Sequence, residues 1–313
     1  MHVLSVSSLK GGVGKTTVAL GLASAAFSRG LRTLVIDLDT QCDATTGLGA
    51  IGEFSETTAD VLQSPRHNIV HRAIVSSSWG KNQSGTIDVM VGSPRSQAHD
   101  NPYPTLSEVW RLEIALTKVE RDYDIVIIDT PPSINGLTRT AWVASDRVLI
   151  VAEPSLFSVV ATDRTIHAVE ELRKGLTPRL GVLGILVNRF KSAAPENEFR
   201  VNEMREKYGD RVLPTVLEER SAIQQATGSA RAIHSWPGQT SQEIAAQFDD
   251  VLDAALESFA NQETRRPTRA ERKAQRVTRI MRGQTLDQVL AFESEADAVE
   301  AEEEKSPSEQ LGL

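Results

Sequence analysis

The chain has 313 residues, 40% hydrophobic and 24% charged, with a formal net charge of -8 and a single cysteine, Cys42. That is enough apolar material for one large or two ordinary cores, while one cysteine excludes an intrachain disulfide and a cysteine-rich metal site and argues against an iron–sulfur-linked ATPase. The acidic balance argues against a uniformly basic nucleic-acid binder but leaves room for a local basic patch; no apolar stretch reaches the roughly 18 residues that cross a bilayer, no signal peptide is evident, and a cytoplasmic protein is expected.

An apolar run over residues 1–6 predicts a first strand, and residues 8–17 then read SLKGGVGKTT before an apolar-periodic helix over residues 16–29. A strand that ends in glycines and turns into a helix builds a phosphate cradle, because successive backbone N–H groups converge on one anion at the positive end of the helix dipole. Gly11, Gly12, Val13, Gly14, Lys15, Thr16 and Thr17 form that candidate site. Lys15 is placed to reach the β- and γ-phosphates and the Thr16 hydroxyl to ligate Mg²⁺. Leu9 stands where the general phosphate-loop pattern has glycine, and Lys10 precedes the glycine pair.

The run RTLVIDLDT predicts a buried parallel strand that delivers Asp37 and Asp39 to the edge holding the loop. Residues 41–60 read as a loop leading into a short helix, and residues 64–105 yield only one modest strand, over residues 86–91. A helix is expected over residues 106–120. YDIVIIDTPPS then reads as a strand stopping at Asp129, since Pro131 and Pro132 cannot join a ladder. Further elements are a helix near residues 137–144, a strand in DRVLIVAEP, a helix over residues 158–174 and a strand in LGVLGILVNRF ending at Asn188 and Arg189. A helix over residues 196–208, a last strand RVLPTVL and a closing helix over residues 240–260 complete the series. Strands alternating with helices imply an α/β fold, a mostly parallel twisted sheet covered on both faces, with residues 1–260 as one domain.

Residues 261–313 differ in composition. Between Arg265 and Arg282 stand eight basic residues against Glu271 alone, with Arg265, Arg269, Arg272, Arg276 and Arg279 three or four apart, a spacing that lines one helical face. Residues 283–313 carry nine acidic residues and only Lys305 as a base. This tail reads either as a solvated appendage, possible helix followed by disorder, or as a basic helix that touches DNA, a partner or an anionic membrane. Its apolar residues, Val277, Ile280 and Met281, are too few for stable membrane insertion.

The loop variant K-G-G-x-G-K-T resembles the deviant Walker A box of the ParA/MinD family of P-loop ATPases, and four other stretches, one of them loose, extend the likeness over residues 1–260. IDLDTQCDATTGLG is similar to the family's switch I pattern D-x-D-P-Q-x-N-A-T, with Thr40 in place of the proline and Asp43 in place of the asparagine. The first change loosens the turn and the second adds a negative charge near the phosphates. DTPPS resembles switch II, and Asn188 with Arg189 resembles the adenine contact. More loosely, LPTVLEERSAIQQATGSARAI resembles a loop that closes over adenine through Pro214.

The resemblance implies a P-loop fold binding ATP and Mg²⁺, with Lys10, Lys15 and Asp39 catalytic. By it Asp39 positions the attacking water, and Asp37 and Asp129 serve the magnesium shell beside Thr16. Lys10 then reaches across a two-fold axis to a partner's phosphates, so that ATP closes a homodimer. It further implies a slow ATPase partitioning a plasmid or chromosome, bound to nonspecific DNA at the nucleoid through Lys191, Arg220, Arg231 or the basic tail, and stimulated by a ParB-like partner. The family also contains ATPases that position cargo on a membrane or protein scaffold, and this second reading stays open.

Overall fold

A computed structural model describes residues 1–82 and 85–261. The basic stretch 265–282 and the acidic stretch 283–313 lie outside the described residues. In chain order the elements are β1 (His2–Ser7), α1 (Lys15–Ser28), β2 (Thr33–Asp37), α2 (Asp43–Gly47), α3 (Thr58–Gln63), α4 (His67–Arg72), β3 (Ile74–Ser76), β4 (Ile87–Met90), α5 (Leu106–Val109), α6 (Arg111–Leu116) and β5 (Ile125–Asp129). There follow α7 (Gly136–Ala144), β6 (Arg147–Ala152), α8 (Leu156–Gly175), β7 (Gly181–Phe190), α9 (Pro195–Tyr208), β8 (Val212–Glu218), α10 (Ser221–Gly228) and α11 (Gln239–Ala260).

The strands form one sheet in the order β3-β4-β2-β5-β1-β6-β7-β8. Every pairing is parallel except β3 with β4. The central strands are rich in Val, Ile and Leu on both faces, because helices bury both. Along β1, Leu4 and Val6 point into the layer formed with α1 and α11, while Val3 points into the opposite layer with α6 and α7. Parallel strands align their carboxyl ends, so β1, β2 and β5 deliver Ser7, Asp37 and Asp129 to one edge. Asp37 and Asp129 are register partners there.

One close approach locks the α1 face. A Cβ on Gly21 of α1 would lie 2.2 Å from the Phe248 ring of α11, so only glycine admits that fully buried ring.

Several expectations are corrected. The segment 64–105 holds two elements the sequence did not suggest, α4 and the antiparallel β3. The helix expected over 106–120 breaks at Trp110 into α5 and α6. The stretch read as a closing loop after the last strand contains α10, and β7 runs past Asn188 and Arg189 to Phe190.

Candidate active site

A pocket of about 540 Å³ opens at the carboxyl edge of the sheet. The phosphate loop forms its floor through Gly11, Gly12, Gly14, Lys15, Thr16 and Thr17. Gly12 and Gly14 take φ of +77° and +90°, the left-handed region that glycine enters without a Cβ penalty. Gly14 is also the N-cap of α1, so the open N–H groups of the helix start face the pocket. Val13 contributes backbone only, since its side chain is fully buried in the core. Its carbonyl accepts a 2.7 Å hydrogen bond from Nδ2 of Asn188, and a Cβ on Gly14 would come within 2.4 Å of that nitrogen. The end of β7 therefore props the loop from behind.

Behind the loop sit two fully buried carboxylates. Oδ2 of Asp37 accepts hydrogen bonds from the Thr45 backbone N–H at 2.8 Å and its hydroxyl at 2.7 Å, while Oδ1 has no partner. Burial pushes this carboxyl up to about 6, against the lowering effect of Thr45. Neither oxygen of Asp129 has a hydrogen-bond partner. Burial, followed by repulsion from Asp37, holds Asp129 well above the usual carboxylate range, although Thr16 and Lys15 favour its ionised form. The Lys15 ammonium is itself mostly buried and is drawn down by desolvation, with Asp129 and then Asp39 opposing.

Three buried, unpartnered carboxylate oxygens facing a threonine hydroxyl are costly unless a cation answers them. This donor set fits Mg²⁺, which takes oxygen ligands and is commonly held by one or two carboxylates together with substrate phosphates and water. Among the described residues no group of three or more His, Cys, Asp or Glu is placed to hold a metal ion.

The wall opposite the loop comes from the segments that follow β2 and β5. Asp39 lies past the end of β2, half-buried at the pocket, and its Oδ1 accepts from the Gln41 backbone N–H at 3.1 Å. Thr40, Gln41 and Asp43 line the pocket beside it. Asp43 is the first residue of α2, so the carboxylate that departs from the family pattern sits where a helix dipole favours it. Burial and three aspartates push the neighbouring Cys42 thiol up to about 11, and it stays protonated. Pro131, Pro132 and Ser133 close the far side, with Gln97, Asp100 and Arg189 at the rim.

Lys10 is turned away from this pocket. Its ammonium pairs with Glu153 and lies 3.2 Å from the Ser155 hydroxyl, both just beyond β6. The one cation of the loop not aimed at the chain's own phosphate cradle is thus held by a partly exposed carboxylate.

A family model described as an AAA domain matches residues 1–182. A ParA family protein of Chlamydia trachomatis is 32% identical over 257 residues, covering 80% of this chain and 95% of its own length. The chain belongs to the ParA/MinD family of P-loop ATPases. The sporulation initiation inhibitor protein Soj of Bacillus subtilis is similar at 29% identity, over 83% of this chain and 98% of Soj. An ATP complex of an McdA variant from Cyanothece shares the fold, with a TM-score of 0.69, 24% identity, and 82% and 96% of the two chains covered.

Against the ParA/MinD pattern, the structure brings together Gly11, Gly12, Gly14, Lys15, Thr16, Thr17, Asp39 and Arg189 around one pocket, with Asp37 and Asp129 buried behind it. Pro214 is a correction: it lies within β8 and lines a different groove against α11. Asn188 does not line the pocket but anchors the loop. The candidate DNA-contacting cations are engaged elsewhere: Lys191 with Glu219 at 3.0 Å, Arg220 with Glu218, and Arg231 over the Trp236 ring at 5.5 Å.

The sequence reading missed Thr45 and Gly92, which tie Asp37 to switch I. The Thr45 hydroxyl accepts from the Gly92 N–H at 2.8 Å, and a Cβ there would press within 2.8 Å of the Asp37 carboxylate. It also missed Glu153 and Ser155, for which polar residues directly after a buried apolar strand were the available signal. No helix among the described residues is long and apolar enough to cross a membrane.

Proposed function

We propose that this chain is a DNA-partitioning ATPase of the ParA type, in which ATP closes a sandwich dimer that binds nonspecific DNA and a ParB-like partner accelerates hydrolysis. The observation that carries this reading is the division of labour between two lysines of one loop. Lys15 is buried beside the acidic pair behind its own cradle, and Lys10 is directed out of it toward Glu153.

In this reading the loop N–H groups and Lys15 hold the β- and γ-phosphates. Thr16, Asp129 and Asp37 would hold Mg²⁺, which neutralises charge on the transferring phosphoryl group when bound. Asp39, fixed by the Gln41 N–H, orients the attacking water in line with the γ-phosphate, and Arg189 covers the base. Lys10 leaves Glu153 and Ser155 and crosses to the partner's phosphates, acting as a cation delivered in trans. Family membership and the similarity to Soj support the reading, as does the fit of the orphaned carboxylate oxygens to a cation.

The test compares wild type with Lys10→Ala by fluorescent ATP-analogue binding, by sedimentation with and without ATP, and by cosedimentation with plasmid DNA or anionic liposomes. Lys10→Ala is expected to bind the analogue with little change, to stay monomeric and to lose ATP-dependent DNA binding. An ATP-dependent dimer of Lys10→Ala would refute the trans role. ATP-dependent capture by liposomes with none by DNA would replace partition by a membrane-positioning function.

A further inference from the structure

A second concavity, of about 560 Å³, lies between the outer edge of β8 and α11. Its apolar lining includes Leu213 and Val216 of β8 and Val251 and Ala254 of α11. β8 pairs with β7 on one side only and is the last strand of the sheet, so the groove runs beside an open edge. Such edges are usually covered or guarded, and Pro214 removes one N–H from this one.

The rim of the groove is strongly acidic. α11 contains five carboxylates, Glu243, Asp249, Asp250, Asp253 and Glu257, and no lysine or arginine. Arg29 engages Asp249 and Asp253, whereas Asp250 and Glu257 form no ion pair among the described residues. Asp250, Asp253 and Glu257 are three and four positions apart, so they make one stripe along the groove. A stripe of this sign repels nucleic acid and attracts a basic peptide.

That peptide is at hand in the same chain. α11 ends at Ala260, one turn beyond Glu257, and the sequence between Arg265 and Arg282 carries eight basic residues against one acidic. Arg265, Arg269, Arg272, Arg276 and Arg279 recur at the same three- or four-residue interval as the carboxylates. Three residues of α11 separate Glu257 from its end, and four more lead from Ala260 to Arg265, enough chain to reverse direction. At ~1.5 Å per residue the Asp250–Glu257 stripe spans about 10 Å, and the 18-residue segment is long enough to run back along it. We propose that residues 265–282 dock in this groove of their own chain, their cations against Asp250 and Glu257. Docked there, the segment shields the open edge of the sheet and is withheld from any other anionic partner. This docking does not depend on the partition reading.

The experiment uses the full chain. Carbodiimide coupling joins an amine to a carboxylate in direct contact, and Lys273 is the one lysine between residues 262 and 304. At low salt the expected cross-links join Lys273 to Asp250 or Glu257 within one chain. They are expected to fade between about 50 mM and about 500 mM salt as the screening length falls. Trypsin cleavage within residues 265–282 is expected to accelerate about fivefold or more in Asp250→Asn/Glu257→Gln at low salt, because cleavage tracks the undocked population, with unchanged circular dichroism. Unaltered cleavage in that variant, or Lys273 cross-links confined to other carboxylates, would overturn the proposal. Mixed-isotope cross-links from a sample of labelled and unlabelled chains would also overturn it, because the occupant would then be a second copy's tail.

Discussion

Replacing Asp37 with asparagine is expected to stabilise the nucleotide-free protein at alkaline pH and to have no such benefit in acid. Asp37 is fully buried, with one oxygen satisfied by Thr45 and the other unpartnered. Burial raises its carboxyl from the ordinary 3.8 to about 6. Between those two values the folded state binds more protons than the unfolded one, so stability falls as pH rises through that window. Integrated, keeping this side chain ionised above the window costs about 3 kcal/mol. Asparagine avoids that cost, retains an acceptor for Thr45 and leaves an amide unpaired at about 1 kcal/mol. The variant is thus expected to be more stable by about 2 kcal/mol at pH 8, or ~4–8 °C in Tm for a domain of this size. Near pH 4.5 the advantage disappears. Thermal or urea unfolding in EDTA at both pH values measures the difference, and the variant is also expected to lose most of the extra stabilisation conferred by Mg²⁺ with ATP. An equal gap at the two pH values, or a wild type that gains on the variant as pH rises, would refute the assignment of an uncompensated buried charge.

Other substitutions probe the loop, Asp39 and the core. Asp39→Ala is expected to bind ATP normally and to lose steady-state turnover about a hundredfold or more, since an orienting group is removed; normal phosphate release would remove Asp39 from the mechanism. Gly14→Ala places a Cβ 2.4 Å from the Asn188 amide at φ +90°, and calorimetry is expected to show ATP affinity lowered about tenfold or more through the distorted cradle. Gly21→Ala drives a methyl into the Phe248 ring and is expected to cost about 2 kcal/mol in urea unfolding. Adding Phe248→Leu should recover part of that loss if the contact is its cause.

The phosphate loop and the aspartates at strand ends were legible because their signals are local: glycines before a helix, and charges closing an apolar run. Parallel strands align such ends automatically, so Asp37 and Asp129 meet without further information. Asn188 was found as a polar strand end, but its bond to Val13 joins residues 175 positions apart, and no spacing encodes that. Pro214 was placed at the base by resemblance alone, although the strand RVLPTVL that holds it was legible; a proline fits an edge strand, and only the tertiary order shows β8 to be an edge packed beside α11. Thr45, Gly92 and Glu153 escaped for a similar reason, since each acquires its role from a neighbour on another element. Trp110 interrupts a helix that periodicity alone would continue.

The seat of Phe248 on Gly21 bears on how this chain could be recombined with its relatives. An aromatic ring on the last helix and the missing side chain on the first form one fitted unit, although they lie 227 positions apart. A hybrid that imports the C-terminal helix from a relative has to import the matching first helix with it, and that helix starts at the phosphate loop. The two ends of the described chain are therefore exchangeable only together.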